Sequence, residues 1–532
     1  MSRISITDFA FLLTETADSP RHVASLQIFR PPKDYKGDFV GDLMDALRQR
    51  PVQSPFDQKL SVSLTGTARW VRDERFDLDY HLRRSALPAP GRRRQLAELA
   101  SRLHSFMLDR NRPLWEMHFI EGLRDGCFAV YAKIHHAYCD GATLTRMANA
   151  SFSADPSDRS VTAFWEMGKG EPVAHPDRDL RSAVRGVAGN VRSVFTMAKE
   201  LSGVAGKMAL DRVGLADSGL DVPFTSPRTA LNGPLSRARR FAGVSLELER
   251  LKAVAQKTGT TLNDVVVTVC DIALRRYLAS HAEAPKEPLV AELPVNLRRE
   301  GESSVTNIIG IIPVRMAGVS RNPVKRLKEV HRSTGEMKDA LGHLSRETVM
   351  AYTLIVQGAA VVTDMLGLSS YLPPHSNILI SNVPGSPVPL YLMGARLVEV
   401  YPISTIPPHM VMNITVFSYD GRLFFGLIGG YDAIPNLPEM PRYLLEAFES
   451  LESEAGISPK PRADRPAARP AVSGPKRKKK PTTGRTTRTR AKATAKRSTK
   501  SAPRKATAKT TARKKTTARK KATARKKTAA SR

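Results

Sequence analysis

The stretch "AVYAKIHHAYCDGATLTRM", residues 129–147, decides how the rest of the chain is read. An apolar run stops at two adjacent histidines, His135 and His136, and Asp140–Gly141 follows just ahead of a helical pattern. Consecutive strand residues point to opposite faces. One imidazole can therefore face a cleft while its neighbour turns into the fold, which argues against both rings holding one metal ion. A neutral imidazole near pH 7 accepts a proton from an alcohol or thiol and hands it on. Asp140 stands where strand gives way to helix, and a helix cap there is compatible with an ion pair that shapes the site. Gly141 allows close backbone approach, and its N–H at a helix start can face developing negative charge.

Outward from that stretch the chain alternates strands and helices. In "HFIEGLRDGCFAVYAKIHH" two extended runs flank Asp125–Gly126, expected as a tight hairpin turn with both central residues at positive φ. Residues from about Ser151 to Pro227 form a looser connection with some helix. A second α/β half follows: a strand at "RRFAGVSL", helices at "ELERLKAVAQKTG" and "TTLNDVVVTVCDIALRRYL", and strands at "PLVAEL" and "NIIGIIPVRM". Then come a polar amphipathic helix near Pro323–Gly342 and an apolar helix over Thr348–Thr363. Strands "NILISN", "MVMNITVFSYDG" and "RLFFGLIGG" and a helix from about Pro438 to Ala455 close it. The apolar helix is too short for a membrane crossing and is flanked by Glu347 and Asp364, which suits a buried or interfacial position.

Charge is unevenly spread. From Pro459 to Arg532 there are 29 Lys and Arg against one acid, Asp464, so this tail carries +28 of the formal +32. It has almost nothing apolar to bury and is expected to be disordered; its end repeats "TARKK" three times. The first 458 residues are nearly balanced, which speaks against a globular part built for nucleic acid. Three cysteines without metal spacing suit a reducing compartment, and Cys139 is read as incidental. The N-terminus lacks the pattern of a secretory signal, and no 18-residue uncharged apolar span is present. No G-x-S-x-G elbow, Walker loop or Rossmann fingerprint is found.

"HHAYCDG" resembles the HHxxxDG motif of acyl-CoA-dependent acyltransferases. "PLWEMHFIEGL", "LNDVVVTVC", "PVNLR" and "SNVPG" resemble, in order, four further motifs of the bacterial wax ester synthase/diacylglycerol acyltransferases. The likeness covers about Ile4 to Ala455. It implies two chloramphenicol-acetyltransferase-like α/β domains, as in peptide-synthetase condensation domains, over 1–225 and 226–458, with an active-site tunnel between them. His136 would be the general base, His135 mainly structural, and Asp140 structural through an arginine, for which Arg298 is the candidate. Pro113, Leu114 and Trp115 would pack the hairpin base and line the acyl channel. Asn263 and Asp264 would be near substrate, although Thr261-x-x-Asp264 is also a capping pattern. Asn382 opens a turn with a site-lining role, while Asn307 and Gly310 read as strand residues. No metal and no cofactor are implied, since acyl-CoA is a substrate.

The expected partners are long-chain acyl-CoA and a diacylglycerol or fatty alcohol. A peripheral place on the cytoplasmic face of the plasma membrane or on lipid droplets follows from those substrates. The basic tail would hold the protein on anionic lipid, with DNA as the second choice. A non-catalytic lipid-binding module on the same fold is the alternative from another class, and the intact histidine–aspartate motif speaks against it.

Overall fold

The computed structural model describes residues 2–3, 11–12, 14–62, 68–138, 141–167, 224–296, 309–342, 344–368 and 371–457. Cys139, Asp140, Arg298, Asn307, the basic tail and most of the connection after Ser151 lie outside them. The first half opens with β1 (Ser2–Arg3), β2 (His22–Arg30), α1 (Phe39–Arg48), β3 (Gln58–Val62) and β4 (Ala68–Arg72). It continues through α2 (Leu78–His81), β5 (Leu82–Ala86), α3 (Arg93–Ser105), β6 (Trp115–Glu121), β7 (Phe128–His135) and α4 (Gly141–Ala150). The second half contains β8 (Arg239–Glu247), α5 (Leu248–Thr258), α6 (Leu262–His281), β9 (Val290–Asn296), β10 (Ile309–Arg315) and α7 (Pro323–Gly342). After these come α8 (Arg346–Met365), β11 (Ile378–Val383), β12 (Tyr391–Leu392), β13 (Ala395–Ile403), β14 (Met412–Tyr419), β15 (Arg422–Gly430) and α9 (Met440–Glu454).

Two six-stranded sheets organise these elements, in the orders β12-β13-β2-β7-β6-β5 and β10-β9-β11-β14-β15-β8, with β1, β4 and β3 in a small third sheet. Chain order and sheet membership part at one place. β12 and β13 belong by sequence to the second half, yet β13 pairs antiparallel with β2, from Arg396 opposite Arg30 to Ile403 opposite Ala24. The sequence reading did not anticipate β13.

Local chemistry explains most element ends. The α1 helix buries a stripe of Phe39, Val40, Leu43, Met44 and Leu47, and its free N-terminal N–H of Gly41 is taken by the Asp38 carboxylate at 3.0 Å. Gly259, at φ +66, ends α5 in the left-handed conformation that lets the next helix begin at once. The following α6 is buried on nearly every side because α5, α7 and α9 all pack against it.

The two sheets share a core in which Leu26, Ile28 and Ile120 of the first meet Phe241, Leu379 and Ile428 of the second. Helix α3 seals the β8 edge with two hydroxyls. Ser101 and Ser105 accept the N–H groups of Phe241 (2.9 Å) and Arg239 (2.8 Å), so that edge has no open backbone donor at either residue.

One expected turn differs. Asp420–Gly421 has both residues at positive φ, +44 and +72, but at Asp125–Gly126 only the glycine does, at +73. Asp125 instead faces Arg93, 2.9 Å from Nη2, and the loop spans the six residues between β6 and β7.

Candidate active site

Strand β7 ends at His135, and a hydrogen bond from the Tyr138 N–H to the His135 carbonyl (3.0 Å) folds the next residues into a tight turn. His136 occupies its first corner. The turn is clamped on both sides: the His135 N–H reaches the Leu114 carbonyl and the His136 N–H the Arg21 carbonyl, each at 2.9 Å. The two rings are placed differently. His135 is fully buried. Its Nδ1 accepts the Ala137 N–H at 3.0 Å, which puts the proton of the neutral ring on Nε2, facing Glu15 at 3.4 Å. His136 is half-buried, and its imidazole stacks on Phe11 with ring centres 4.2 Å apart and planes 17° from parallel.

Glu15 is a site residue that the sequence did not reveal. Its carboxylate, 1% exposed, accepts the Arg21 N–H at 2.9 Å and two guanidinium N–H groups of Arg110 at 2.9 and 3.2 Å. Burial would raise its pKa, but the neighbouring His135, the Arg21 N–H and Arg110 outweigh it and hold the group at about 2. Arg21 in turn donates to the Ile406 carbonyl of the other half at 3.4 Å. The turn, the entry to β2 and the loop before β14 are thus tied together.

The Pro113–Leu114–Trp115 segment lies under this turn. The Leu114 N–H donates to the Tyr138 hydroxyl at 3.0 Å, and that hydroxyl donates to the Gln58 carbonyl. Trp115, 1% exposed, donates through Nε1 to Phe56 at 2.9 Å and stacks on His81 at 4.4 Å. All three residues are buried, which suits packing at the hairpin base.

Asp264 is elsewhere. It forms a capping box with Thr261 at the start of α6 (2.9 and 3.2 Å) and accepts from Thr334 at 2.6 Å and His331 at 2.7 Å on α7. Burial is overcome by these bonds and its pKa falls below the usual carboxylate value. The residue fastens two helices together, and Asn263 precedes it half-buried. Asn382 is exposed near the end of β11, while Gly310 is buried in β10 opposite Val295. Gly141 begins α4 just beyond the histidine turn.

A second polar cluster, also unanticipated, lies in the C-terminal half. Glu292, 2% exposed, takes Gln357 Nε2 at 2.9 Å, the Ser376 hydroxyl at 3.1 Å and His375 Nε2 at 2.8 Å. Among the described residues no group of three or more His, Cys, Asp and Glu is arranged to hold a metal ion.

A further carboxylate, that of largely buried Glu116, lies 2.5 Å from Lys133 Nζ; burial opposes its ionisation, but His118 and Lys133 hold it at about 2. Both Glu15 and Glu116 thus titrate below the ordinary value of 4.5. A depressed carboxylate contributes stability that is complete above its unfolded pKa and is lost as pH falls through the folded one. Each should contribute about 3 kcal/mol at neutral pH. Chemical denaturation followed from pH 6 downward should show stability falling steeply between pH 5 and 2. The Glu15→Gln, Glu116→Gln double variant should flatten that slope, and an unchanged slope would remove these two groups from the account.

Comparison with solved structures places the fold first. A condensation domain of the calcium-dependent antibiotic synthetase superposes with a TM-score of 0.54 at 16% identity over 85% of this chain and 96% of that one. The fold is therefore that of the condensation-type acyltransferases. The wax ester synthase/diacylglycerol acyltransferase of Marinobacter aquaeolei superposes with a TM-score of 0.67 at 33% identity, covering 86% of this chain and all of that one.

The family profiles described as the wax ester synthase/diacylglycerol acyltransferase catalytic domain and its C-terminal domain match residues 4–266 and 305–452. A Mycobacterium tuberculosis protein named as a diacylglycerol O-acyltransferase is 37% identical over 455 residues, 85% of this chain and 98% of the relative. The O-acyltransferase WSD of Acinetobacter baylyi is 34% identical over 453 residues, 84% and 96% of the two chains. The chain belongs to the wax ester synthase/diacylglycerol acyltransferase family and is an acyltransferase.

Proposed function

We propose that this chain moves a long-chain acyl group from acyl-CoA to the hydroxyl of diacylglycerol, forming triacylglycerol, and accepts long-chain alcohols as a second class of acceptor. His136 is the general base. The observation that supports this is the contrast within one dipeptide: His135 is locked behind the turn by Ala137 and Glu15, while His136 stands half-exposed at its corner.

The acceptor O–H gives its proton to the His136 imidazole as its oxygen attacks the thioester carbonyl. The carbonyl electrons move onto oxygen, and the tetrahedral oxyanion faces the N–H at the start of α4, at Gly141. Collapse restores the C=O bond and breaks the C–S bond, and the proton held by His136 passes to the departing CoA thiolate. The imidazole is neutral again and no covalent enzyme intermediate forms. Acyl-CoA is consumed as a substrate, so no bound cofactor is required.

Purified protein supplied with labelled palmitoyl-CoA and either dioleoylglycerol or hexadecanol should make labelled ester, faster with the glycerolipid. No ester from either acceptor would overturn the proposal.

Both acceptors live in a lipid phase, and among the described residues no helix is long and apolar enough to cross a membrane. Peripheral binding on the inner leaflet or on lipid droplets supplies the contact. The tail's +28 charge draws the enzyme to anionic lipid, at about 1 kcal/mol per basic residue near the surface. Truncation after Ser458 should leave ester synthesis in detergent intact and cut partition onto anionic vesicles. If only retention on DNA falls, the tail serves the nucleic acid instead. That retention would be blind to sequence, because the tail has no aromatic residue to stack on bases.

A further inference from the structure

Helix α8 turns a large apolar side chain, Ile355, to solvent. Its protein-facing side carries Thr353, which accepts the Ile311 N–H at 3.1 Å, Gln357, which reaches Glu292 at 2.9 Å, and Ala360, which is fully buried. At 100° per residue the opposite side carries Ile355 and Gly358; Ile355 is 60% exposed, and Leu366, just past the helix end, is 65% exposed. The turn that follows continues the apolar surface. Leu368 and Leu372 are exposed, and Tyr371 is 83% exposed. A helix in an aqueous protein normally turns its apolar stripe to the core, and an exposed apolar patch of this kind marks an interaction site.

Two features identify what covers it. Leu372, Pro373 and Pro374 at the end of the patch also line a small cavity with Phe224 and Thr363, floored by His375 and His409. The patch therefore adjoins this small cavity, and one of its lining residues, His375, lies 2.8 Å from Glu292. The rim is also suited to anionic headgroups. Exposed Arg228 is fixed there by donating to the Leu372 carbonyl at 2.5 Å; the acid of this region, Asp364, has a side chain 53% exposed and lies 3.9 Å from His409 Nδ1.

We propose that the outward side of α8 together with Leu366–Leu368 and Tyr371–Leu372 is the face on which this protein rests on an anionic lipid surface, and that the acceptor leaves the lipid phase at this edge. The proposal rests on the lipid acyltransferase activity above and adds the surface through which it meets its substrate. The apolar side chains enter the headgroup–acyl boundary while Arg228 remains at headgroup level.

The test uses full-length protein and vesicles of phosphatidylcholine and phosphatidylglycerol. Binding is measured in about 1 M salt, where the screening length of about 3 Å suppresses the tail's long-range attraction. The Ile355→Ser, Leu366→Ser, Tyr371→Ser variant should partition at least tenfold less than wild type, while its turnover of palmitoyl-CoA with a soluble short-chain alcohol, without vesicles, stays the same. In a separate reporter, Leu366→Trp, emission should shift to the blue on vesicle addition and be quenched by brominated lipid. This readout holds even if the triple variant fails to fold.

Unchanged partition, or no shift in the reporter, overturns the proposal. So does a triple variant that alters the sedimenting mass yet binds vesicles normally, since a second copy of the chain would then cover the patch. Failure of the acyltransferase proposal reads out separately, as no ester from wild type and the soluble alcohol.

Discussion

Replacing His136 by alanine should lower kcat with the diacylglycerol acceptor by about 10²–10⁴-fold, the usual range for a lost general base, and leave the melting temperature nearly unchanged. Two structural facts set this expectation. The backbone bonds that hold the turn, to Arg21 and Leu114, come from main-chain groups and survive the substitution. The ring is only partly buried, and it stacks on Phe11 at the corner of the turn. His135→Ala should do the reverse, because that ring is buried against Glu15 and its loss leaves the carboxylate with one partner fewer. Stability should fall by about 3–5 kcal/mol. Steady-state kinetics beside thermal melts of both variants separate the roles. Equal losses of kcat with equal melting curves would mean that the two imidazoles act as a unit.

A stability effect of comparable size should come from a residue far from the chemistry. A Cβ on Gly426 in β15 would stand 1.7 Å from the Pro402 carbonyl oxygen of β13, and one on Gly243 in β8 would stand 2.7 Å from the Tyr401 ring. The ring can tilt, but the carbonyl belongs to a strand paired on its other edge with β2. Gly426→Ala must therefore push the sheets apart. Its cost should reach or exceed the upper end of the 1–3 kcal/mol typical of overpacking. Gly243→Ala should cost less, and equal losses in a denaturant titration would show that the β13 backbone gives as readily as the side chain.

Much of this architecture could be read from the chain alone. The range given for the polar helix, 323–342, is the range observed for α7, because its amphipathic period and its opening proline act over neighbouring residues. The histidine turn was legible for the same reason, since strand, turn and helix are consecutive in sequence. Glu15 was not legible. It is one acid among 51 acidic residues, and Arg110 and His135, which give it meaning, lie 95 and 120 positions away. Strand β13 was missed for a related reason: "ARLVEVYPI" shows little of its own pattern, and its partner β2 is some 370 residues upstream. Asp264 was visible both as a motif and as a capping pattern; the structure shows the capping box and adds bonds that fasten α6 to α7.

The strand exchange at β13 bears on how such enzymes can be recombined. A hybrid joining the first 225 residues of this chain to the remainder of a relative would inherit a foreign border strand beside β2, with a bulge between Leu397 and Glu399 that must match it. Cutting the gene between the halves is thus the wrong seam for swapping acceptor preference. A graft that carries residues 390–403 along with the amino-terminal part keeps the native pairing, and the first half expressed alone would leave β2 as a raw edge inviting aggregation.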